Sequence, residues 1–328
     1  MSLSPNRTEK QALLKKTAIL IASRALTPVA PFLDSSYRVF RQWDGLPADA
    51  AGEIAAVVVA GEDSLDTGFL DRLPGLRHVA CFTSGYDGLD LAWCRSRGLI
   101  VTHAPAVNHE DVADHALALI LAARRRVVDG DRIVRAGDWV IEQRLITPSM
   151  RGCRVGIVGL GAIGEALARR VAVMGCEVRW WGPRDKPDAA WPKAGSLVEL
   201  AKASDVLVVA CRADETNTGL ISAEMIEALG STGLLVNVAR GSLVDEDALI
   251  GALKAGRLGG AALDVFETEP TPVARWADVP NVVLTPHTAG ATMAAVQGML
   301  GLLIRNLQAV AAGEPPLTPV PGCEGARD

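Results

Sequence analysis

Short apolar runs alternate with segments of helical periodicity along most of the chain, and this alternation predicts an α/β fold. Runs of this kind predict strands joined by crossover helices, and hence parallel sheets. A short helix is predicted at Ser64–Arg72, and the segment with Pro28 and Pro31 is predicted to be a loop. Before residue 104, strands are predicted at Thr17–Ala22, Tyr37–Trp43, Ile54–Ala60, Arg77–Phe82 and Leu99–His103.

The second part of the chain begins with a longer predicted helix. Asn108 is the expected N-cap, and Glu110 and Asp111 occupy the first turn, where the helix dipole favours acids. The segment Val127–Met150 shows no strong period, and a long apolar helix is predicted at about Gly290–Ala312. Between these segments, strands are predicted at Val155–Val158, Cys176–Trp181, Val206–Cys211, Gly233–Ala239, Gly259–Val265 and Val282–Leu284.

Three glycines in G-x-G-x-x-G spacing follow the strand Val155–Val158 and open a helix. In this context Gly159 permits a tight turn, Gly161 lets the backbone approach a pyrophosphate, and Gly164 lets helix and strand pack closely. The phosphates then lie on the free N–H groups at the start of the helix. The alternative is a glycine-rich turn without a ligand. The predicted cofactor loop comprises Gly159, Leu160, Gly161, Ala162, Ile163 and Gly164.

The next predicted strand, Cys176–Trp181, ends without an acidic residue. An NAD site typically has an Asp or Glu there, which accepts a hydrogen bond from the ribose 2′-hydroxyl. That position is about Gly182, followed by Pro183, Arg184 and Asp185. An arginine can hold a 2′-phosphate, which a carboxylate would repel. We therefore predict a preference for NADP(H), with NAD(H) as the alternative if Asp185 serves the hydroxyls.

Charged residues stand where three later strands end: Arg240, the pair Asp264 and Glu269, and His287. Because ligands bind outside the carboxyl ends of such strands, we expect these residues in one crevice beside the nicotinamide. An arginine can clamp a carboxylate, and a histidine paired with a carboxylate suits proton transfer near neutral pH. Reduction of a 2-oxo acid needs both parts. Taken singly, the residues could instead be an ion pair, a solvated acid and a turn histidine.

Composition excludes several classes of protein. The net charge of −5 and the lack of a long basic run argue against a nucleic-acid partner. Six cysteines without a C-x-x-C pair indicate a reduced protein, and five histidines without an H-x-x-x-H pair predict no metal site. No apolar run approaches the ~18 residues that span a membrane. The start, MSLSPNRTEKQALLKK, lacks an apolar signal core, so we expect a frayed tail and a cytoplasmic protein.

Seven collinear blocks, spread over nearly the whole chain, carry a family resemblance: Gly85–Leu91, Asp111–Leu121, Arg135–Trp139, Asn237–Leu253, Gly259–Pro270, Asn281–Gly290 and Leu317–Val320. They resemble the D-isomer-specific 2-hydroxyacid dehydrogenase family. Within it, VADHALALILAARRRVVDGDRIVRAGDW and LGGAALDVFETEP are most similar to the glyoxylate/hydroxypyruvate reductase branch, which includes hydroxyphenylpyruvate reductases.

The resemblance implies a role for each candidate residue. Arg240 would bind and orient the substrate carboxylate, Glu269 would pair with the histidine, and His287 would be the acid/base. The backbone N–H groups of Ser84 and Gly85 would also hold the substrate carboxylate. Beyond the glycine loop, the predicted cofactor contacts are Gly182, Arg184, Cys211, Arg212, Val238, Ala239, Arg240, Asp264 (near the nicotinamide carboxamide), His287 and Gly290.

Two further departures from the family lie near these residues. His103 and His109 stand where related sequences often have Asn and Thr. Arg212 and Asp214 replace a common proline and threonine. Arg212 would either add to phosphate binding or pair with Asp214 at the surface.

The family fold implies two Rossmann-like, parallel-sheet domains with a cleft between them that closes and excludes water. Residues 1–103 and 288–328 would form a discontinuous, flavodoxin-like substrate-binding lobe, and residues 104–287 the NAD(P)-binding domain. A homodimer is implied, with Asn108–Met150 in the interface. The expected reaction is reduction of glyoxylate or hydroxypyruvate to the D-2-hydroxy acid. The alternatives are a bulkier aromatic 2-oxo acid such as hydroxyphenylpyruvate, or a dinucleotide-sensing scaffold that binds other proteins.

Overall fold

A computed structural model describes residues 16–325, and the predicted N-terminal tail lies almost entirely outside that range. Within it the strands are β1 Ala18–Ile21, β2 Arg38–Arg41, β3 Ile54–Val59, β4 His78–Cys81, β5 Ile100–Thr102, β6 Arg154–Val158, β7 Glu177–Trp181, β8 Val206–Val209, β9 Leu234–Asn237, β10 Gly260–Leu263, β11 Val282–Leu284 and β12 Pro319–Glu324. The α-helices are α1 Ala30–Asp34, α2 Thr67–Leu70, α3 Leu91–Ser96, α4 His109–Arg124, α5 Val127–Ala136, α6 Ala162–Val173, α7 Leu197–Lys202, α8 Ala223–Leu229, α9 Glu246–Lys254, α10 Val273–Trp276 and α11 Met293–Ala311.

The chain divides into two compact units. One comprises Met1–Val107 with Met293–Asp328, and the other Asn108–Thr292. The division falls at 107/108 and 292/293, where the sequence predicted 103/104 and 287/288. Both boundaries lie later in the chain because of packing. Ala104 is buried in the core of the first unit, so that unit extends beyond residue 103, and Ala289 is buried in the core of the second, so that unit extends beyond residue 287. The functions predicted for the two domains stay predictions.

The first unit is built on a six-stranded sheet in the order β12-β5-β4-β3-β1-β2. All its strands are parallel except β12, which runs antiparallel to β5. Strands β1 and β4 are buried along their whole length, as apolar runs covered on both faces should be. Helix α11 contributes Met299 and Leu303 to the core on one face, and Val320 of β12 packs into the core on the other.

The second unit is built on a six-stranded, fully parallel sheet in the order β11-β10-β9-β8-β6-β7. Strand β6 lies between β7 and β8, so the direction of winding reverses at β6. Ligands bind in open α/β sheets at such a switch point, outside the carboxyl ends of the strands. The predicted α/β fold with two parallel sheets is confirmed.

At four places the local predictions were wrong or incomplete. The segment with Pro28 and Pro31 is not a loop but a 3₁₀-helix, Arg24–Val29, followed by α1. Pro31 stands at the start of α1, where a missing N–H costs nothing. The proline-rich tail ends in strand β12, which sequence reasoning did not predict. It is an edge strand, and edge strands tolerate proline.

The first part of the apparently irregular segment 127–150 forms helix α5. The exposed ion pairs Asp129–Arg132 and Asp131–Arg135 have i,i+3 and i,i+4 spacing and support a helix without a buried side. Asn108 precedes helix α4 as predicted, but its side chain makes no capping bond. A Cβ added at Gly290 would touch the Asn108 amide nitrogen, so this amide packs against Gly290.

No α-helix among the described residues combines the length and the apolar character that crossing a bilayer requires.

Candidate active site

The turn between β6 and α6 has room for a ligand at its middle glycine. Gly159 has φ +93°, and a Cβ there would lie 2.6 Å from the Cα of Cys211. A Cβ on Gly164 would overlap the carbonyl oxygen of Gly159, whereas one on Gly161 would meet no atom within 4 Å. The protein's own packing therefore requires the outer two glycines. The middle one leaves open space beside the first turn of α6, where N–H groups without helical partners suit a pyrophosphate.

The loop after β7 carries more positive than negative charge. Arg184 is exposed, and no acidic side chain among residues 16–325 pairs with its guanidinium. Lys193 Nζ lies 2.6 Å from Asp185 Oδ1, and this bond lowers the pKa of Asp185. Lys186 Nζ donates to the carbonyl of Leu160 in the glycine loop. The acid that might have served an NAD ribose is thus bound by a lysine.

Cys211 and Arg212 follow β8, and the backbone of Cys211 packs against Gly159 of the glycine loop. Burial raises the pKa of the Cys211 thiol to about 11, so it remains protonated at neutral pH. Asp214 accepts from the N–H of Thr216 at 2.9 Å, and bonds from Thr216 lower its pKa more than the charge of Arg212 does. Asp214 therefore mainly closes its own turn.

A buried asparagine shapes the turn that presents Arg240. Asn237 Nδ2 donates to the carbonyl of Arg240 at 2.8 Å, and its Oδ1 accepts from the N–H of Ala239 at 3.0 Å. The Arg240 guanidinium donates to the carbonyl of Ala239 at 2.8 Å. Val238 and Ala239 are buried between these residues. Sequence reasoning missed Asn237, although a polar side chain in an otherwise apolar strand was a usable signal.

His287 and Glu269 form a close pair. His287 Nδ1 lies 2.6 Å from Glu269 Oε2, and Glu269 Oε1 accepts from the N–H of Phe266 at 2.9 Å. The hydrogen bond to Glu269 raises the pKa of His287 against the opposing effect of burial. Burial alone would raise the pKa of Glu269, but the bonds from His287 and Phe266 bring it below its ordinary value. The imidazolium–carboxylate state of the pair is therefore favoured.

Arg240 lies close enough to this pair for its charge to affect both pKa values. Its charge lowers the pKa of both Glu269 and His287, although by less than the hydrogen bond between them changes either value. The structure therefore brings together the three residues that the sequence predicted to be catalytic. Their catalytic roles remain to be tested.

Asp264 is completely buried and binds the turn that carries His287. Its Oδ1 accepts from the Thr285 hydroxyl at 2.5 Å and from the N–H of Thr288 at 2.9 Å. Its Oδ2 accepts from the N–H of Ala289 at 2.8 Å. The predicted contact with a cofactor stays a prediction, because this carboxylate is already engaged by the protein. The sequence did not predict that Thr285 and Thr288 bind Asp264.

In the first unit, Ser84 and Gly85 lie in the loop after β4. The Ser84 hydroxyl donates to the carbonyl of Ala104 at 2.6 Å, and the Ser84 carbonyl accepts from His103 Nδ1 at 2.9 Å. The ring of His103 also packs edge-on against Tyr86, with ring centres 4.8 Å apart. His103, which stands where related sequences often have Asn, therefore supports this loop.

Known proteins resemble this chain over most of its length. Residues 117–289 match the model of the D-isomer specific 2-hydroxyacid dehydrogenase NAD-binding domain. The chain is 42% identical to a hydroxyphenylpyruvate reductase of Plectranthus scutellarioides over 88% of its own length and 94% of that protein. It is 40% identical to glyoxylate/hydroxypyruvate reductase A of Arabidopsis thaliana, with the same coverage.

The chain belongs to the D-isomer specific 2-hydroxyacid dehydrogenase family. Its fold also matches an NADPH-dependent glyoxylate/hydroxypyruvate reductase from Sinorhizobium meliloti, solved with NADP and malonate. The TM-score is 0.88 at 34% identity, covering 96% of this chain and 99% of that one. This dehydrogenase is thus an NAD(P)-dependent oxidoreductase of the glyoxylate/hydroxypyruvate reductase branch, and its cofactor is a nicotinamide dinucleotide.

The glycine loop of the dehydrogenase gives a paired prediction. Gly161→Ala should leave the melting temperature nearly unchanged but weaken NADPH binding at least tenfold, because the new methyl group occupies only the space meant for the ligand. Gly164→Ala should lower the melting temperature as well, because its methyl group meets the Gly159 carbonyl. Fluorescence titration with NADPH and thermal unfolding measure both effects. If Gly161→Ala bound NADPH as tightly as the wild type, the dinucleotide could not bind at this glycine.

Proposed function

We propose that this dehydrogenase reduces glyoxylate and hydroxypyruvate to the corresponding 2-hydroxy acids, with D stereochemistry where the product is chiral, and prefers NADPH. The observation that carries the proposal is the His287–Glu269 pair, at 2.6 Å, within the electrostatic reach of Arg240. The named relatives include reductases of these two substrates. A proton donor and a cation for the substrate carboxylate are what such a reduction requires.

Each catalytic residue has a defined task in this proposal. Arg240 and the backbone N–H groups of Ser84 and Gly85 bind the carboxylate of the 2-oxo acid. Glu269 accepts the Nδ1–H of His287 and keeps the ring cationic, so that Nε2 also carries a proton, which it gives to the carbonyl oxygen of the substrate. A reduced nicotinamide dinucleotide, when bound at the glycine loop, supplies the hydride.

A bulkier aromatic 2-oxo acid is the second candidate substrate. It is favoured by the 42% identity to the hydroxyphenylpyruvate reductase, slightly above that to the Arabidopsis enzyme. Both candidates use the same proton donor and carboxylate clamp. They differ only in the space that the substrate side chain needs.

The charges after β7 support the preference for NADPH. Asp185 is bound to Lys193, whereas the Arg184 guanidinium is exposed and has no acidic partner in the described part of the chain. A 2′-phosphate would meet a net positive loop, and arginine forms charge-assisted bonds with phosphate oxygens. The Sinorhizobium relative is described as NADPH-dependent and was solved with NADP.

A second copy of the chain is the proposed partner of helix α5 and the segment that follows it. Five apolar side chains there are largely exposed: Val127 at 57%, Val134 at 59%, Trp139 at 69%, Ile141 at 68% and Ile146 at 93%. Monomeric proteins seldom leave so much apolar surface in water. We propose a homodimer through this face. We also propose a reducing cytoplasm as its location, in keeping with six free cysteines.

His287→Gln should lower kcat for 2-oxo acid reduction by about 10²–10⁴-fold, the usual contribution of a general acid. Initial rates with glyoxylate, hydroxypyruvate, pyruvate and phenylpyruvate would measure this effect and rank the substrates. Higher kcat/KM for phenylpyruvate than for hydroxypyruvate would favour the second candidate. Full activity of the variant would refute the catalytic assignment and reopen the scaffold alternative.

Arg184→Ala should raise KM for NADPH by roughly 10- to 100-fold, the value of a charge-assisted hydrogen bond, and change KM for NADH about twofold or less. Arg179→Ala is the matched control, since Arg179 is also an exposed arginine but lies on β7, before the loop that carries Arg184. A wild-type preference for NADH, or equal effects of Arg184→Ala on both cofactors, would contradict the proposal.

The dimer can be tested by sedimentation. The chain has a mass of 34.5 kDa, so the wild type should sediment as a species of twice that mass. Ile141→Asp places a charge on the proposed contact face and should shift the equilibrium toward monomer. A monomeric wild type at micromolar concentration would exclude this interface.

A further inference from the structure

A second histidine lies close to the turn that carries His287. His115 is on helix α4, where Val112 and Leu119, three residues before and four after it, are buried in the core of the same unit. Its Nε2 lies 3.0 Å from the Thr285 hydroxyl oxygen and 3.4 Å from Asp264 Oδ1. The side chain is only 24% exposed. No catalytic task described above uses it.

The direction of the hydrogen bonds can be deduced from the chemistry of the groups. The ionised carboxylate of Asp264 can only accept, so the Thr285 hydroxyl, 2.5 Å away, donates its hydrogen to it. The Thr285 oxygen is then left as an acceptor, and His115 Nε2 must carry the hydrogen that it accepts. The contact of 3.4 Å from His115 to Asp264 is too long for a good hydrogen bond. The result is a relay from His115 through Thr285 to Asp264.

The end of this relay fixes the backbone on both sides of His287. Asp264 receives bonds from Thr285 before it and from the N–H groups of Thr288 and Ala289 after it. The carbonyl of Asp264 also accepts from the N–H of His287 at 2.8 Å. His287 has φ +53°, a left-handed conformation that a residue with a side chain holds only when its surroundings enforce it.

We propose that His115 is a positioning residue, whose Nε2–H bond to Thr285 holds the 285–289 turn on Asp264 and so sets the place of the His287 ring against Glu269. The proposal rests on the catalytic role proposed for His287. It assigns His115 no contact with substrate or cofactor. Its effect reaches the reaction only through the position of another side chain.

Four variants separate this role from a general effect on folding. His115→Leu removes the donor but keeps apolar volume, and His115→Gln offers an amide N–H at about the position of Nε2. Thr285→Val removes the middle hydroxyl with little change of shape. Asp114→Asn is the control, because Asp114 is exposed on the same helix and pairs with Arg170 at 2.7 Å.

In steady-state kinetics, His115→Leu should lower kcat roughly 10- to 100-fold, the cost of misplacing a catalytic group by about 1 Å, with KM for the 2-oxo acid changed less than twofold. His115→Gln should restore most of this loss, and Asp114→Asn should show none. The double variant His115→Leu, Thr285→Val should be no slower than the more impaired single variant, because both act in one relay. Fully additive losses would overturn the proposal, as would wild-type kcat in His115→Leu.

A second measurement needs no substrate and no cofactor. NMR titration of the imidazole signals gives the pKa of His287, which His287→Gln identifies among the five histidines. In His115→Leu this pKa should fall toward the ordinary histidine value, because the ring no longer sits firmly against Glu269. It should stay raised in His115→Gln. An unmoved pKa in His115→Leu would overturn the proposal.

The two measurements also separate this proposal from the proposed function. If the wild type reduces no 2-oxo acid, the proposed function fails, but the NMR titration still decides whether His115 positions His287. If His115→Leu does not fold, Thr285→Val carries the test with the same expected losses. Wild-type kcat and an unmoved His287 pKa in Thr285→Val would then overturn the relay.

Discussion

The buried carboxylate of Asp264 is the interaction on which the candidate active site depends. It lies at the end of β10, completely out of water, where an unpaired charge would be costly. Bonds from Thr285, Thr288 and Ala289 compensate for that burial, and they are made only if the chain after β11 wraps around the carboxylate. Because the buried charge must be hydrogen-bonded, the segment that carries His287 is held on the path that provides these bonds.

The pair of His287 and Glu269 is arranged on this support. Its pKa shifts favour the ion pair even though burial opposes both charges, because a hydrogen bond of 2.6 Å joins the two groups. Arg240 stands close enough to bias both pKa values, and Asn237 fixes the turn that presents it. The residues proposed to be catalytic thus follow the ends of β9, β10 and β11, three adjacent strands of one parallel sheet.

The sequence predicted the parts of this site that depend on local pattern. The glycine spacing after β6 indicated the dinucleotide loop, and charges at strand ends indicated Arg240, Glu269 and His287. It did not reveal the partners of Asp264, because Thr285 lies 21 residues away and an ordinary threonine carries no signal of burial. Helix α5 is amphipathic, so its pattern could have been recognised in the sequence, but its apolar face is exposed instead of packed on the core. Strand β12 was missed because its prolines argued against a strand.

In the proposed reaction Glu269 keeps His287 protonated, and the pH dependence of kcat/KM with and without that carboxylate shows whether it does. The bond to Glu269 raises the pKa of His287, so the proton donor should persist above the ordinary histidine range in the wild type. In Glu269→Gln the alkaline limb for reduction of hydroxypyruvate should move to lower pH. An unchanged limb, or one moved to higher pH, would show that Glu269 does not keep His287 protonated.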